Sequence, residues 1–351
     1  MDEIERLRAW SYARQRIGDP ANSVDQALRS VVAVYSTHPT APLALWARTR
    51  TFTAAAYRRI DRDRKGIRLP AMRQTVFLVP RANAARIFTA VRPSGAHALR
   101  ALKRHGFSMK DYEGFAKRIL KAARKPVPAR GIEGAAGIKG GQLATVLRCL
   151  RYEGRLLALA GESLLASPHD YVATPAVLPQ GLDAGDPERA LAWLAGEYLR
   201  AYGPARVADF AWWTGVTKRA AAAAIATLDT VDAGSALLLL RKDEASFSRV
   251  KGVSGTVDLL PKWDAYTMAY APDGRRRFVH PDVQSIVYTP IGVGLAGDGN
   301  PVVLIGGEAA GTWTFTLKDG PAVQPFDSLG SRIRARIDEK LDAVAGLLGR
   351  G

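Results

Sequence analysis

The sequence lacks the residues on which several classes of protein depend. Cys149 is the only cysteine among 351 residues, which excludes an intramolecular disulfide and a cysteine-rich zinc site. The five histidines have no H-x-x-x-H or histidine–cysteine spacing, and there is no G-x-x-x-x-G-K-[ST] phosphate-binding loop. We therefore expect no bound metal, no cofactor and no ATP-driven work.

Long apolar runs are also missing. No stretch approaches the ~20 apolar residues that span a bilayer. The first ten residues, MDEIERLRAW, are charged and have a helical pattern, unlike a secretory signal peptide. Hydrophobic residues still make up 47% of the chain, so a folded globular protein is expected rather than a disordered one. The sequence predicts a cytoplasmic protein with no membrane partner.

Acidic residues are scarce in the first part of the chain. The whole sequence has 50 Lys and Arg against 33 Asp and Glu, a formal net charge of +17. Residues 1–150 contain 29 basic and 10 acidic side chains, whereas residues 151–351 contain 21 and 23. Such asymmetry predicts a polyanionic partner, which we interpret as nucleic acid.

The first third of the sequence predicts helices followed by a small hairpin. Apolar periodicity and β-branched content predict helices over 2–17, 43–50 and 53–60, then strands over 67–70 and 74–79. Helices followed by a two-stranded wing have the order of a winged helix. Residues 1–92 are therefore predicted to form a first winged-helix unit.

A second winged-helix unit is predicted over residues 93–174. Ser108 can cap a helix from 109 to 124, which the prolines at 126 and 128 would end. A glycine-punctuated stretch, 131–141, precedes a predicted helix over 142–152 and a strand over 155–159. Residues 175–185 are interrupted by Pro and Gly and contain no basic residue, and we interpret them as a linker.

A third unit, 186–351, has the clearest helix-turn-helix pattern. A helix over 187–202 is followed by a short helix over 204–213, a turn containing Gly215, and an Ala-rich helix capped by Thr217. Strands are then predicted over 237–240, 255–260, 277–280, 284–288, 302–305 and 312–317, before a helix over 331–348. The expected fold class is α+β, with tandem winged-helix units and a β-rich C-terminal part. Several such units in one chain remove the usual need for a dimer, so a monomer is expected.

Six segments resemble the AlkZ-like winged-helix DNA glycosylases, in that family's order. They are 42–48 (PLALWAR), 72–80 (MRQTVFLVP), 198–204 (YLRAYGP), 208–215 (ADFAWWTG), 259–264 (LLPKWD) and 311–315 (GTWTF). The resemblance implies three winged-helix units around a basic concavity that fits DNA. It also implies a monofunctional enzyme that removes alkylated or crosslinked purines by hydrolysing the N-glycosidic bond, without a metal.

The family's catalytic motif, Gln-x-Gln or Gln-x-Asp, is absent at the matching position. Residues 34–39 read VYSTHP, so its two polar positions fall on Tyr35 and Thr37 or on Ser36 and His38. Hydrolysis needs a group that positions or activates a water against a sugar of oxocarbenium character. His38 is the candidate base and Ser36 or Thr37 would orient the water; alternatively, His38 and Pro39 only end a helix.

Two further segments supply candidate site residues. Residues 73–77 correspond to the family's R-G-T-L-H segment, with Gln74 in place of glycine and Phe77 in place of histidine. Arg73 is predicted to bind a phosphate and Gln74 to reach a base edge, or the segment is an ordinary wing strand. Asp264 is either a structural ion-pair partner or a carboxylate that substitutes for the missing motif.

The remaining candidate DNA contacts are basic side chains with few acidic neighbours. Several of those between 117 and 125 share one helix face. Such a face repels itself unless an anion neutralises it, which favours phosphate contact over a solvated surface. The candidates are Arg48, Arg58, Arg59, Arg64, Lys65, Lys117, Arg118, Lys121, Lys125, Lys262, Arg275 and Arg276.

Three functions remain open at this point. The first is a DNA glycosylase acting on alkylated or crosslinked purines in double-stranded DNA. The second is a non-catalytic winged-helix DNA-binding protein, either a lesion sensor or a regulator. Both predict a protein associated with the nucleoid. The third is a family member repurposed for a protein or a small ligand.

Overall fold

The computed structural model describes residues 1–92, 95–165, 169–289 and 298–349. The predicted boundary between 92 and 93 therefore falls at Pro93, outside the described residues. The helices are α1 (Glu3–Arg14), α2 (Val24–Ser30), α3 (Thr40–Trp46), α4 (Ala54–Arg62), α5 (Ala84–Ala90), α6 (Gly95–Arg104), α7 (Met109–Ala122), α8 (Ala129–Ala136), α9 (Gly140–Tyr152), α10 (Thr174–Val177), α11 (Pro187–Tyr202), α12 (Val207–Thr214), α13 (Lys218–Ala226), α14 (Glu244–Ser248), α15 (Ala265–Met268), α16 (Gln284–Val287) and α17 (Ser331–Leu348).

The strands complete an α+β fold with a β-rich C-terminal part, as predicted. They are β1 (Val34–Tyr35), β2 (Gly66–Pro70), β3 (Val76–Pro80), β4 (Val127–Pro128), β5 (Leu156–Ala160), β6 (His169–Ala173), β7 (Thr230–Asp232), β8 (Leu238–Leu240), β9 (Val257–Leu260), β10 (Tyr288–Thr289), β11 (Asp298–Gly299), β12 (Val302–Ile305), β13 (Glu308–Thr316) and β14 (Gly320–Pro325). The order of helices followed by a hairpin occurs before β2–β3, before β5–β6 and before β7–β8.

Local sequence signals account for several helix ends. The hydroxyls of Ser23, Ser108 and Thr217 each accept a hydrogen bond from a backbone N–H in the first turn of the following helix. The caps at Ser108 and Thr217 are those predicted from the sequence. Gly215 ends α12 at a φ of 81°, a conformation that glycine adopts without steric cost, and so makes the tight turn into α13.

The first two hairpins belong to one sheet. Its order is β1-β3-β2-β5-β6-β4, and every neighbouring pair is antiparallel. Strands β2 and β5 join the two hairpins through the pairing of Arg68 with Ala158. Residues 1–92 and 93–174 are thus connected by backbone hydrogen bonds as well as by the chain.

The buried side chains form three groups. One lies among α7, α8, α9, β5 and β6, so the second predicted unit has a core of its own. The other two each combine both ends of the chain. In one, Tyr12 of α1 packs with Tyr266 of α15, and in the other, Leu28 of α2 is grouped with Val344 of α17. The first and third predicted units therefore share their cores.

A buried ion pair links these two ends. The Arg48 guanidinium donates to both carboxylate oxygens of Asp264, at 2.8 and 2.6 Å, and neither side chain is exposed (0% for both). Arg48 also donates to the carbonyl of Ala44, and Asp264 accepts from the backbone N–H of Tyr266 at the start of α15. This two-pronged contact holds the loop before α15 against the N-terminal helices.

Two predicted strands are wrong. Residue 277 ends a 3₁₀ helix, Pro272–Arg277, and residues 278–280 form no strand. Residues 284–287 form α16 after a second 3₁₀ turn that begins at Pro281. Proline at the first helical position fixes φ near its helical value, which outweighs the β-branched residues that follow. The glycine-punctuated stretch also contains a helix, α8, which Gly137 ends at a φ of 70°.

The segment interpreted as a linker packs against the core. It begins within α10, and Leu178 and Leu182 are buried. The Thr89 hydroxyl donates to the carbonyl of Leu182 at 3.3 Å. The two leucines thus attach this segment to the core, while its other positions are mostly exposed.

We expect the Asp264→Ala variant to lose about 3–5 kcal/mol of unfolding free energy, because it leaves the buried Arg48 guanidinium without a counter-charge. The control is Asp229→Ala, which breaks the Arg241–Asp229 pair, whose side chains are 58% and 73% exposed. That exposed pair should contribute less than about 1 kcal/mol. Urea unfolding measures both, and equal losses would contradict the prediction.

Candidate functional site

A cavity of about 160 Å³ opens where the end of the six-stranded sheet, α12 and the loop before α15 meet. It is lined by Ala33, Tyr35, Met72, Arg73, Thr75, Phe77, Trp212, Trp213, Trp263, Ala265, Met268 and Asp298. We call it the aromatic cavity, since five of these twelve side chains are aromatic. A cavity of about 150 Å³ binds benzene, so this one has room for a flat ring.

Strand pairing and the position of α12 place aromatic side chains around this cavity. Tyr35 in β1 pairs with Phe77 in β3, and their rings meet edge to face with centroids 5.3 Å apart. The Trp263 ring lies 4.8 Å from that of Tyr35. On α12, Trp213 is buried, whereas its neighbour Trp212 is half-buried. Aromatic faces on several sides suit a planar ligand that stacks.

Asp298 supplies a carboxylate to the lining. The Trp263 indole N–H donates to one oxygen of Asp298, and the Lys262 ammonium pairs with the other. A carboxylate has about four lone-pair positions, so it can still accept a hydrogen bond from a water. The Lys262 ammonium balances its charge in surroundings that are otherwise largely apolar.

Cations flank Trp212. The guanidinium carbons of Arg73 and Arg275 lie 4.3 and 4.8 Å from the Trp212 ring centroid. Arg275 also stacks on Tyr288 at 4.0 Å, is fully buried, and its Nη1 and Nη2 have no hydrogen-bond partner among the described residues. Loss of hydrating water beside the Trp212 ring lowers the pKa of both guanidinium groups, of which only that of Arg275 is fully buried. This wall of the cavity therefore carries positive charge that no described carboxylate pairs with directly.

The connection between β2 and β3 forms part of the rim. Arg73 and Gln74 have φ values of 52° and 60°, in the left-handed region that favours glycine, and both are exposed. The Ala71 N–H donates to the Thr75 carbonyl at 2.8 Å and closes the turn. The Tyr152 hydroxyl of α9 donates to the Gln74 carbonyl at 3.1 Å. The turn is thus held by its own backbone and by the second core.

Of the four candidates at the family's catalytic motif, Tyr35 lines the aromatic cavity. Burial raises the pKa of its hydroxyl, while hydrogen bonding to Thr75 and the charge of Arg73 oppose this effect. Ser36 is buried and its backbone continues the pairing with β3. The Thr37 hydroxyl is also buried and has no hydrogen-bond partner within the described part of the chain. Neither hydroxyl is among the lining groups.

His38 belongs to a separate hydrogen-bonded network. Its Nε2 is 2.8 Å from the Tyr57 hydroxyl, and its Nδ1 donates to the Ser163 carbonyl at 2.9 Å. The Tyr57 hydroxyl accepts from Arg68, which pairs with Asp61 at 2.7 Å. The lone pair that His38 would use as a base is already taken by the Tyr57 hydroxyl. His38 is therefore not placed to activate a water in the aromatic cavity.

Besides Ser36, three predicted site residues are buried. Arg48 and Asp264 form the internal ion pair described above, and Arg275 has 0% of its surface exposed. Arg48 and Arg275 were predicted to bind DNA, but a side chain with no exposed surface cannot contact a phosphate in this structure. Asp264 points into the core rather than into the aromatic cavity, which corresponds to the structural alternative considered for it.

The other basic candidates lie at the surface and fall into two groups. Some have exposed side chains without an ion pair among the described residues: Arg59, Lys65, Lys117, Lys121, Lys125 and Arg276. Others are engaged: Arg58, Arg64 and Arg118 donate to the carbonyls of Glu162, Asp61 and Ala136 at 2.7, 2.9 and 2.8 Å, and Lys262 pairs with Asp298. The first group can reach phosphates without giving up an internal hydrogen bond.

Sequence reasoning missed Trp263 and Asp298. The segment 259–264 resembles the family, but the residue predicted from it was Asp264 and not the preceding tryptophan. A lone aspartate in the stretch AGDGN is typical of a turn and gives no functional signal. The structure also places Trp212 at the edge of the aromatic cavity.

Three further findings concern metal ligands, membrane spans and the single thiol. They contain no group of three or more His, Cys, Asp or Glu side chains arranged to hold a metal. No helix in those ranges is long and apolar enough to cross a bilayer. Cys149 is buried, and burial raises the pKa of its thiol to about 11, which disfavours the reactive thiolate.

An aromatic cavity beside exposed cations is the arrangement expected of a protein that binds an unstacked nucleobase. Residues 28–347 match the family described as DNA glycosylase AlkZ-like, and the chain belongs to this family. Streptomyces sahachiroi DNA glycosylase AlkZ has a similar structure, with a TM-score of 0.77 and 17% identity over 99% of this chain and 97% of that one. A comparison with curated proteins finds no match. At this identity the structural similarity shows a shared fold.

We expect Tyr57→Phe to lower the unfolding free energy by about 1–3 kcal/mol, because the half-buried His38 and the buried Arg68 lose their shared partner. The control is Tyr152→Phe, which removes a hydroxyl that bonds Gln74 at the exposed surface. It should have little effect. Chemical denaturation measures both variants, and a neutral Tyr57→Phe would contradict the role given to this network.

Proposed function

We propose that this protein binds double-stranded DNA and hydrolyses the N-glycosidic bond of an alkylated or crosslinked purine that turns out of the helix into the aromatic cavity. The observation that carries the proposal is this cavity, in which the family's motif strand, the first hairpin and α12 meet. An enzyme that acts on a base must take it out of the stack, and aromatic side chains then hold it. We further propose that the protein acts as a monomer, in the cytoplasm and on the nucleoid.

Asp298 is the proposed water-positioning carboxylate. It accepts a proton from a water as the water oxygen bonds to C1′ of the sugar, and the N-glycosidic bond breaks with its electron pair going to the base. A purine alkylated at N7 or N3 carries a positive charge, so it leaves as a neutral base and needs no acid. The products are the free base and an abasic sugar. Tyr35 stacks against the base in place of the missing glutamine.

The exposed cations on α4 and α7 are the proposed phosphate contacts. Lys117, Lys121 and Lys125 lie on or just after α7, and Arg59 and Lys65 lie on or just after α4. Phosphate contacts position the duplex without reading its sequence, which suits a protein that searches for damage. The Ala-rich helix α13 offers few groups for reading base edges.

A second candidate function is lesion binding without cleavage. It is favoured by the motif positions, where neither Tyr35 and Thr37 nor Ser36 and His38 is the glutamine or aspartate that the family has there. In this version the same cavity holds the extruded base, and Asp298 only anchors Trp263 and Lys262.

Incubation with duplexes containing N7-alkylguanine, N3-alkyladenine or a crosslink separates these functions. We expect heat- or alkali-labile abasic sites, and Asp298→Asn should lower their rate by at least about 100-fold, as for loss of a general base. Asp342→Asn, an exposed aspartate on α17, serves as the matched control. Damage-dependent binding without product would leave the second function, and no binding at moderate salt would overturn both.

Duplex affinity should fall steeply with salt, since bound cations release the counterions of DNA. The triple variant Lys117→Gln, Lys121→Gln, Lys125→Gln should reduce the slope of log K against log salt by about 0.9 for each phosphate that is no longer neutralised. Neutralising Lys242, Lys251 and Lys318, which are also exposed, is the control and should leave the slope nearly unchanged. Fluorescence anisotropy over a salt series measures this, and equal slopes would place the phosphate-binding residues elsewhere.

A further inference from the structure

The turn between β2 and β3 has a backbone conformation that is strained for the residues it contains. Gln74 follows Arg73 in the left-handed region, and each would cost less as glycine. Neither side chain is buried, so packing in the core does not account for the choice. Strain of this kind persists where the surrounding structure enforces it, and it is concentrated at functional sites.

Three depressions meet at this turn. Arg73 lines the aromatic cavity and also a groove that runs past α5 and the turn between α12 and α13. Gln74 lines that groove and a third one along α9, which contains Arg148 and Arg151. Gln74 therefore stands at the rim of the cavity proposed to receive the base, between two grooves that contain arginines.

The turn is held in place from several sides. Its closing bond from Ala71 to Thr75 and the bond from Tyr152 fix its backbone. The helix-turn-helix backs directly onto it, since a Cβ added at Gly215 would lie 3.3 Å from the Cα of Arg73. A turn supported in this way keeps its shape when DNA presses against it.

We propose that Gln74 is a gap-filling residue, which enters the space that an extruded base leaves in the duplex and hydrogen-bonds the unpaired base opposite. This inference rests on the proposed function and adds a residue for the extrusion step. A base that leaves the stack loses its pairing and stacking energy, and a side chain in the gap recovers part of it. A carboxamide has both donor and acceptor groups, so it can pair with a base edge.

A second turn in the chain provides a matched control. Ser235 and Ala236, between β7 and β8, have φ values of 54° and 58° and are exposed. The turn is closed in the same way, with the Ala233 N–H donating to the Leu237 carbonyl at 2.7 Å. It lines neither the aromatic cavity nor the two grooves. The two turns share their strain and differ in location.

The test compares Gln74→Gly with Ala236→Gly on a duplex that contains 2-aminopurine opposite cytosine, a weakly paired base that brightens when unstacked. Both variants should melt at or above the wild-type temperature, because glycine relieves the strain. Gln74→Gly should reduce the fluorescence rise at saturating protein by at least about fivefold, as for loss of one good base contact. Its affinity for undamaged duplex should stay within about twofold, since phosphate contacts supply that binding.

Gln74→Ala separates the side chain from the added freedom of glycine and should show the same loss of fluorescence. A wild-type signal from both Gln74 variants would overturn the gap-filling role and leave the proposed function standing. The absence of any fluorescence rise with the wild-type protein would also overturn the gap-filling role, since no base would then leave the stack, whereas the proposed function is decided separately by the abasic-site assay. A lower melting temperature for Gln74→Gly, with the affinity for undamaged duplex abolished as well, would show that Gln74 is structural.

Discussion

The ion pair between Arg48 and Asp264 is the interaction on which the candidate site depends. It has no exposed surface, and it joins the segment after α3 to the loop before α15. Trp263 precedes Asp264 and has a φ of 58°. With this backbone conformation the Asp264 side chain lies in the core, while the Trp263 side chain lines the aromatic cavity. Anchoring the aspartate compensates for the strain at the tryptophan, and the tryptophan in turn binds Asp298 through its indole N–H.

The basic side chains of the molecule occupy two different environments. The excess cations of residues 51–150 lie mostly on exposed faces, where water screens their repulsion and phosphates can reach them. Arg275 shows the opposite situation, because it is buried between Trp212 and Tyr288 without a carboxylate partner among the described residues. Aromatic faces supply part of the stabilisation that a counter-ion would give. The same ring that lines the aromatic cavity therefore also stabilises a buried cation.

Local signals in the sequence were sufficient for much of the fold and for little of the site. The helices over 187–202 and 331–348 were predicted at their observed bounds. Asp186 caps the first of them and Pro187 begins it, and apolar spacing along one face marks the second. The strands predicted near 280 failed where proline determined the backbone. The site residues come from segments more than 200 positions apart, such as Tyr35 and Asp298, and no local pattern reports such a meeting. Burial determines which of the predicted basic residues can contact DNA. The sequence does not show that Arg48 is buried and Lys117 is exposed.

The shared six-stranded sheet fixes the distance between α7 and the aromatic cavity. Because β2 pairs with β5, the helix α7, which packs on the second core, cannot swing independently of the first hairpin and the aromatic cavity beside it. In the proposed complex, DNA held along α7 presents bases to the cavity at one fixed spacing. The distance between the cations of α7 and the aromatic cavity is then fixed. When a lesion lies too near a strand end, its base can reach the cavity but the cations of α7 have no phosphates to bind.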